Sequence, residues 1–285
     1  LAETQLSVKL LAHTQVSESF VKSLWEDSEV IDALDGRASS GALVALTAIR
    51  TCYSHLKPSA IVATEGAKYF GTQATDGAAG TEADRLFRHI VRSKHTSTLE
   101  HLSFTFAIEG VSRALLAQLT RHRHASHSVQ SQRYVRFGSE DKSGGFDYII
   151  PPSVKNCTNT VGLLDISKRG MRLGLRAVFG RIREVTAPAV FKFAMLVSQW
   201  AYDLLRKLGI PAEDARFVFP NACATNETFT VNLRSLLEFY EKRRKGNGAQ
   251  WEIVALAEAL RDTVVAVEPW TAQFFGAGAG EAEVA

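Results

Sequence analysis

The chain has 285 residues, 46% of them hydrophobic and 22% charged, with a formal net charge of +3. That length and apolar content supply a sizeable core and exclude a disordered or fibrous chain. The near balance of charge excludes whole-molecule attraction to nucleic acid as the main activity, so any anion binding must be local.

In chain order, VKLLAHTQ (8–15) reads as a strand, and ASSGALVALTAIRTCY (38–53) as a helix with Ser39 or Ser40 at its N-cap. Residues 54–82, with Pro58 and a Gly/Ala/Thr-rich tract, are expected to form a surface loop. EADRLFRHIVRSK (82–94) has Leu86, Phe87, Ile90 and Val91 at helical spacing and ends in basic residues, as the helix dipole favours. HLSFTFAIEG (101–110) alternates, Leu102, Phe104, Phe106 and Ile108 against Ser103 and Thr105, which predicts a half-buried strand. VSRALLAQLTRHR (111–123) switches to helical period, and RYVRF (133–137) and FDYIIP (146–151) suggest two more strands.

Helices are predicted over 165–185, 187–208, 211–219, 229–245 and 249–267, with Gly209 closing the second and Pro211 at the first turn of the third. GAGAGEAEVA (276–285) lacks core-forming side chains and reads as a flexible tail. The expected fold class is α+β: a small antiparallel or mixed sheet with long helices, in one domain over 1–275.

Cys52, Cys157 and Cys223 are odd in number and widely spaced, which fits a reducing compartment and offers no zinc-site spacing. The apolar stretch from Ala187 to Leu205 is broken by Lys192, Gln199 and Asp203, so no membrane span is expected. No signal peptide is visible in a chain that opens at Leu1, and the expected location is the cytoplasm.

Chemistry concentrates in RHRHASHSVQSQRY (121–134). Between Gly110 and Ser139 stand five arginines and no carboxylate, so their mutual repulsion has no local offset. An arginine about 4 Å from an anion gains roughly 4 kcal/mol at an effective dielectric near 20, before desolvation. The cluster is therefore expected to answer an external anion, most simply phosphate; on charge alone a solvated basic face stays open. His122, His124 and His127 resemble metal ligands, but no acid accompanies them and the arginines repel a cation, so no metal site is expected. Ser131 lacks the GxSxG elbow and no histidine follows His127, which favours hydrogen bonding over nucleophilic attack. A second polar cluster, Arg216, Asn232, Arg234, Arg243 and Arg244, lies within 215–244, where Leu233, Leu236, Leu237 and Phe239 read as core.

Arg121-His122-Arg123, seven residues, then Ser131 and Arg133-Tyr134 resemble the signature of the flavin-dependent thymidylate synthases. EHLSFTF (100–106), GVSRALLAQLTRHR (110–123), IPAEDARFVFPNA (210–222), TVNLRSLL (230–237) and AQWEI (249–253) resemble that family in order and spacing, over roughly 45–270. The resemblance implies a homotetramer of α+β subunits with shared active sites. It implies conversion of dUMP to dTMP with methylenetetrahydrofolate, FAD and NADPH. It assigns Gln118, Arg121, Ser131, Gln132, Arg133 and Arg216 to dUMP, with Arg133 toward the phosphate. His95, Ser97, Arg121, His122, Arg123, Asn232, Arg234 and the residue at Glu238 fall on flavin-side positions, and Arg243 aligns with the catalytic arginine that favours ionisation of the uracil.

The chain departs from the family pattern in places. Val129 replaces Glu or Gln, and Glu238 replaces Asn or His. KRRKGNG is one residue longer than usual, leaving Arg243 and Arg244 both in register for the catalytic position, and 153–190 reads as an insertion. Two other readings stay open: a catalytically impaired flavin-, nucleotide- or RNA-binding paralog, and an oxidase that consumes NADPH without methyl transfer.

Overall fold

The computed structural model describes residues 1–24, 36, 38–162 and 184–276. It begins with β1 (Ser7–His13), α1 (Glu18–Leu24), α2 (Ser40–Tyr53), α3 (Pro58–Gly71) and α4 (Glu82–Arg92). Next come β2 (Ser103–Ser112), α5 (Arg113–Leu119), β3 (Ala125–Val129), α6 (Pro152–Lys155), β4 (Thr160–Gly162) and β5 (Glu184–Thr186). The last elements are α7 (Ala187–Lys207), α8 (Ala212–Ala215), β6 (Ala224–Asn232), α9 (Leu233–Arg243) and α10 (Trp251–Val267). Four strands form a sheet in the order β1-β2-β6-β3, and β4 pairs antiparallel with β5. The α+β class expected from the sequence is what the chain adopts. Among the described residues no helix is long and apolar enough to cross a membrane.

The chain divides into two compact units, Leu1–Leu6 with 109–117 and 129–226, and Ser7–Ile108 with 118–128 and 227–285. In the first, α7 turns Met195, Gln199 and Tyr202 inward, one face at four- and three-residue spacing. Their neighbours are Phe137, Phe146, Tyr148, Ile150 and Cys223. Gln199 is the polar member of this core. Its amide oxygen accepts the Phe146 N–H at 3.0 Å, and its amide nitrogen donates to the Phe137 carbonyl at 2.9 Å. That explains why the expected strands 133–137 and 146–151 do not form: side chains and single bridges at Tyr148 satisfy backbone groups that a ladder would otherwise claim. The expected helix at 165–185 and the tail beyond Gly276 fall almost wholly outside the described residues.

The second unit corrects the expected loop at 54–82. Residues 58–71 are a helix, with Pro58 in its first turn, where a missing N–H costs nothing. Ile61, Val62, Tyr69 and Phe70 are buried, and Arg50 of α2 holds Glu65 of α3 through paired hydrogen bonds of 2.5 and 3.1 Å. That bond from Arg50 keeps the Glu65 carboxyl below the usual carboxylate range. Residues 54–57 and 72–81 remain loop, the second tract pinned by a bridge between Gln73 and Thr81.

A second correction concerns 229–245, expected to be helical throughout. TNETFTVN continues β6, with Glu227, Phe229 and Val231 buried at alternate positions, and the helix begins only at Leu233. β-Branched residues at period two favour the strand, and Asn232 stops it by capping α9, accepting the Ser235 N–H at 2.8 Å. Beyond Arg123, where periodicity predicts no element, the chain forms β3.

The N-terminus of α2 closes on a buried carboxylate. Glu268, 1% exposed, accepts hydrogen bonds from the Gly41 N–H at 3.0 Å, the Trp270 indole at 2.6 Å and the Ser39 hydroxyl. Negative charge at a helix N-terminus is favoured by the dipole, and these donors offset its desolvation. A Cβ on Gly41 would overlap that carboxylate, so alanine there must displace Glu268. Gly41→Ala is expected to lower unfolding stability by about 1–3 kcal/mol in urea titration, and an unchanged midpoint would refute the tight seat.

Candidate active site

Within the second unit, β3 and α9 together frame a basic cleft of about 200 Å³, lined by Arg121, His122, Arg123, Ala125, Glu238 and Lys242 among others. Val231 and Phe239 give it an apolar floor. Arg243, in the last turn of α9, donates its Nε–H to His122 Nε2 at 3.1 Å. A guanidinium can only donate, so Nε2 must accept, and the neutral ring carries its proton on Nδ1. The edge of this ring meets Phe239 at a centroid distance of 4.7 Å. Burial, followed by the charges of Arg243, Lys242 and Arg121, pushes the His122 pKa down to about 4. His122 is therefore a neutral member of a cationic cleft. Its engaged Nε2 is not available to a metal, and among the described residues no group of three His, Cys, Asp or Glu side chains is arranged to hold one.

A larger cleft of about 600 Å³ in the same unit is mostly apolar, with Val16, Phe20, Leu43 and Val44 in its wall. His95 and Ser97 line it, and His95 Nδ1 is hydrogen bonded to the Tyr53 hydroxyl at 2.8 Å. The 3₁₀ turn Thr96–His101 packs on both α2 and α9. Glu100 on that turn pairs with Arg234 at 2.5 Å, and Glu238 approaches the same guanidinium at 3.3 Å.

Other expected site residues belong to the first unit and are placed there without reference to these clefts. Ser131 Oγ accepts the N–H groups of Arg133 at 3.1 Å and Tyr134 at 3.4 Å, so it locks a turn. No histidine occurs in this unit, which leaves Ser131 without an activating base there. Gln132 is buried, donating to Cys223 Sγ at 3.3 Å, and burial raises that thiol to about 12. Arg133 Nε lies 2.6 Å from a Glu213 carboxylate oxygen, and Arg216 Nε donates to the Glu213 carbonyl at 2.9 Å.

These pairings correct the expectation that the arginines lack internal carboxylates. Arg133 finds Glu213 and Arg234 finds Glu100, distant acids that only tertiary contact brings together, while Glu238 meets Arg234 one helical turn along α9. Arg121 and Arg123 fit the expectation, carrying no ion pair among the described residues. Gln118 sits at the end of α5, partly buried and engaged. Sequence reasoning missed Lys242, Ser235, Glu100 and Glu213. Lys242 and Ser235 could have been found from α9's periodicity, being three and four residues from Phe239 and sharing its face.

The sequence profile of the family described as thymidylate synthase complementing protein matches residues 36–270. A flavin-dependent thymidylate synthase of Clostridium tetani is 41% identical over 179 residues, 61% of this chain and 63% of that protein. The chain thus spans less than two thirds of that relative's length. The flavin-dependent thymidylate synthase of Halobacterium salinarum is 38% identical over 198 residues, 67% of this chain and 74% of that protein. Among solved structures, a UMP/dUMP methylase from Streptomyces cacaoi bound with 5-Br dUMP shares the fold with a TM-score of 0.61 and 20% identity, covering 96% of each chain. Thymidylate synthase X from Helicobacter pylori, solved with FAD and dUMP, matches with a TM-score of 0.53 and 21% identity, covering 95% of this chain and 97% of that one.

The depressed His122 pKa has a pH signature. Between about 4 and the ordinary value of 6.5 the unfolded chain binds a proton that the folded chain refuses. Stability therefore rises with pH across that window, and the part due to His122 is fully lost below it. Proton NMR is expected to show the His122 ring titrating near 4. His122→Phe should flatten the acid limb of the urea midpoint between pH 4 and 6.5, whereas a ring titrating near 6.5 would refute the buried neutral assignment.

Proposed function

Because the chain belongs to the thymidylate synthase complementing protein family, we propose that it catalyses reductive methylation of dUMP to dTMP. In this reading methylenetetrahydrofolate supplies the one-carbon unit and NADPH the electrons. FAD, when bound, supplies the relay of hydride between NADPH and the nucleotide. The active form is a cytoplasmic homotetramer with shared sites, and residues 1–275 act as one catalytic domain, carrying an insertion at 153–190.

The observation that carries the reading is a pair of clefts whose chemistry suits FAD. Arg121 and Arg123, without carboxylate partners among the described residues, are counter-charges for a pyrophosphate. The apolar cleft carrying His95 and Ser97 suits a flat ring system with a polar edge. His122 retains an Nδ1–H donor; Asn232 caps α9, the helix that frames the same cleft, and Arg234 and Glu238 belong to it. Gln118, Ser131 and Gln132 address the nucleotide, with Arg133 and Arg216 toward its phosphate.

Arg243 is the better candidate of the two adjacent arginines for the catalytic position. Its Nε is spent on His122, leaving terminal nitrogens for a developing uracil anion. Arg244 lies at the C-cap of α9 with its guanidinium tied to Glu241 by two contacts of 3.1 Å. An arginine stays protonated, so its part is electrostatic stabilisation and not proton abstraction.

The test is dTMP formation by flavin-loaded protein given dUMP, methylenetetrahydrofolate and NADPH; absence of product from folded holoenzyme would refute the activity. Arg243→Ala should lower kcat/KM by about 100-fold or more, as expected when a donor to a developing anion is lost. Arg244→Ala should stay within about threefold, the scale of an exposed ion pair. The reverse ranking would transfer the role to Arg244.

A further inference from the structure

We propose that Glu213 is a positioning residue that aims two arginines at the nucleotide phosphate, an inference that rests on the function proposed above. Glu213 lies in the short helix α8, and it meets Arg133 and Arg216 by different groups. Its carboxylate approaches Arg133 most closely at Nε, 2.6 Å away. Its main-chain carbonyl accepts the Arg216 Nε–H at 2.9 Å. One acidic residue thus touches both guanidiniums on the Nε edge. Neither arginine donates a hydrogen bond from its terminal nitrogens among the described residues.

The geometry matters because a guanidinium presents its donors in a fixed planar fork. Restraint at Nε settles the plane of the fork and leaves the far end to address an anion bidentately. Arg133 is restrained twice more: its backbone N–H is held by Ser131 Oγ at 3.1 Å, and its guanidinium carbon lies 5.5 Å from the Tyr134 ring centroid. Ser131 Oγ accepts those backbone N–H groups, and its own O–H meets no acceptor among the described residues.

A carboxylate beside a phosphate site would ordinarily be read as a competitor. Exposure argues otherwise. The Arg133 and Glu213 side chains are 58% and 43% exposed, so solvent and salt screen the pair and its net attraction is small. Such a contact can bias the orientation of a long side chain without holding it against a doubly charged ligand. Glu213 therefore acts by reducing the ordering cost of binding, which makes its effect specific to ligands that carry a phosphate.

The experiment compares flavin-loaded wild-type protein, Glu213→Ala and Glu213→Gln by titration calorimetry with dUMP and with deoxyuridine, which lacks the phosphate. Glu213→Ala is expected to raise the dUMP Kd about three- to tenfold and to leave deoxyuridine affinity unchanged. Glu213→Gln retains an acceptor oxygen for Arg133 Nε and should recover most of the loss. Tighter or equal dUMP binding by Glu213→Ala would show a competing charge and overturn the proposal. An equal loss for both ligands, or no recovery by Glu213→Gln, would also overturn it. If wild-type protein binds no dUMP, the proposed function fails separately; inorganic phosphate then becomes the probe, and the same ordering of variants is required.

Discussion

Bringing cations together without letting them repel one another open is the constraint around which the candidate site is built. At the basic cleft the solution is a histidine that stays neutral. Arg243 can approach His122 because Nε2 offers a lone pair, and burial together with the surrounding positive charge keeps that lone pair unprotonated. The arrangement is self-consistent: a protonated ring would lose its acceptor and face Arg121, Lys242 and Arg243 as a fourth charge. The first unit uses a different solution, in which an acid from elsewhere in the chain sits beside Arg133.

The scaffold delivers these groups through helix ends and strand registers. Asn232 ends β6 and caps α9 in one residue, so the phase of α9 is set where the strand stops. Phe239 and Lys242 then reach the cleft from one helix face, and Arg243 meets His122 from the last turn. The 3₁₀ turn at Thr96–His101 carries both a residue of the apolar cleft, Ser97, and a counter-ion of Arg234, Glu100. Helix α2, which walls the apolar cleft, is itself anchored by the Glu268 carboxylate at its N-terminus. Interior electrostatics and site geometry are thus supported by the same few polar contacts.

Polar side chains also decide where regular structure gives way. Gln199 satisfies backbone groups at Phe137 and Phe146 and so removes the need for a strand pair there. Glu227 presents a harsher case on β6. It is buried beside His127 at 3.1 Å, and one oxygen of Glu227 and one nitrogen of His127 have no hydrogen-bond partner among the described residues. Burial raises the Glu227 pKa, in keeping with a carboxyl short of donors.

Much of the fold was legible from periodicity. The alternation of Leu102, Phe104, Phe106 and Ile108 foretells β2, and the apolar spacing of Leu86, Phe87 and Ile90 foretells α4, because each pattern has one period and one buried face. Proline and glycine at 54–82 suggested loop because punctuation outweighed Ile61, Val62, Tyr69 and Phe70, whose helix is stabilised by packing on α2 and the Arg50–Glu65 pair. The ordered motifs determined the family from sequence alone, and the local charge pattern marked Arg121 and Arg123 as cations without nearby acids. Which arginines keep that state was decided only by tertiary structure. Glu213 and Glu100 stand 80 and 134 residues from their arginine partners, a separation across which no local pattern carries information, whereas Coulomb attraction depends on distance in space.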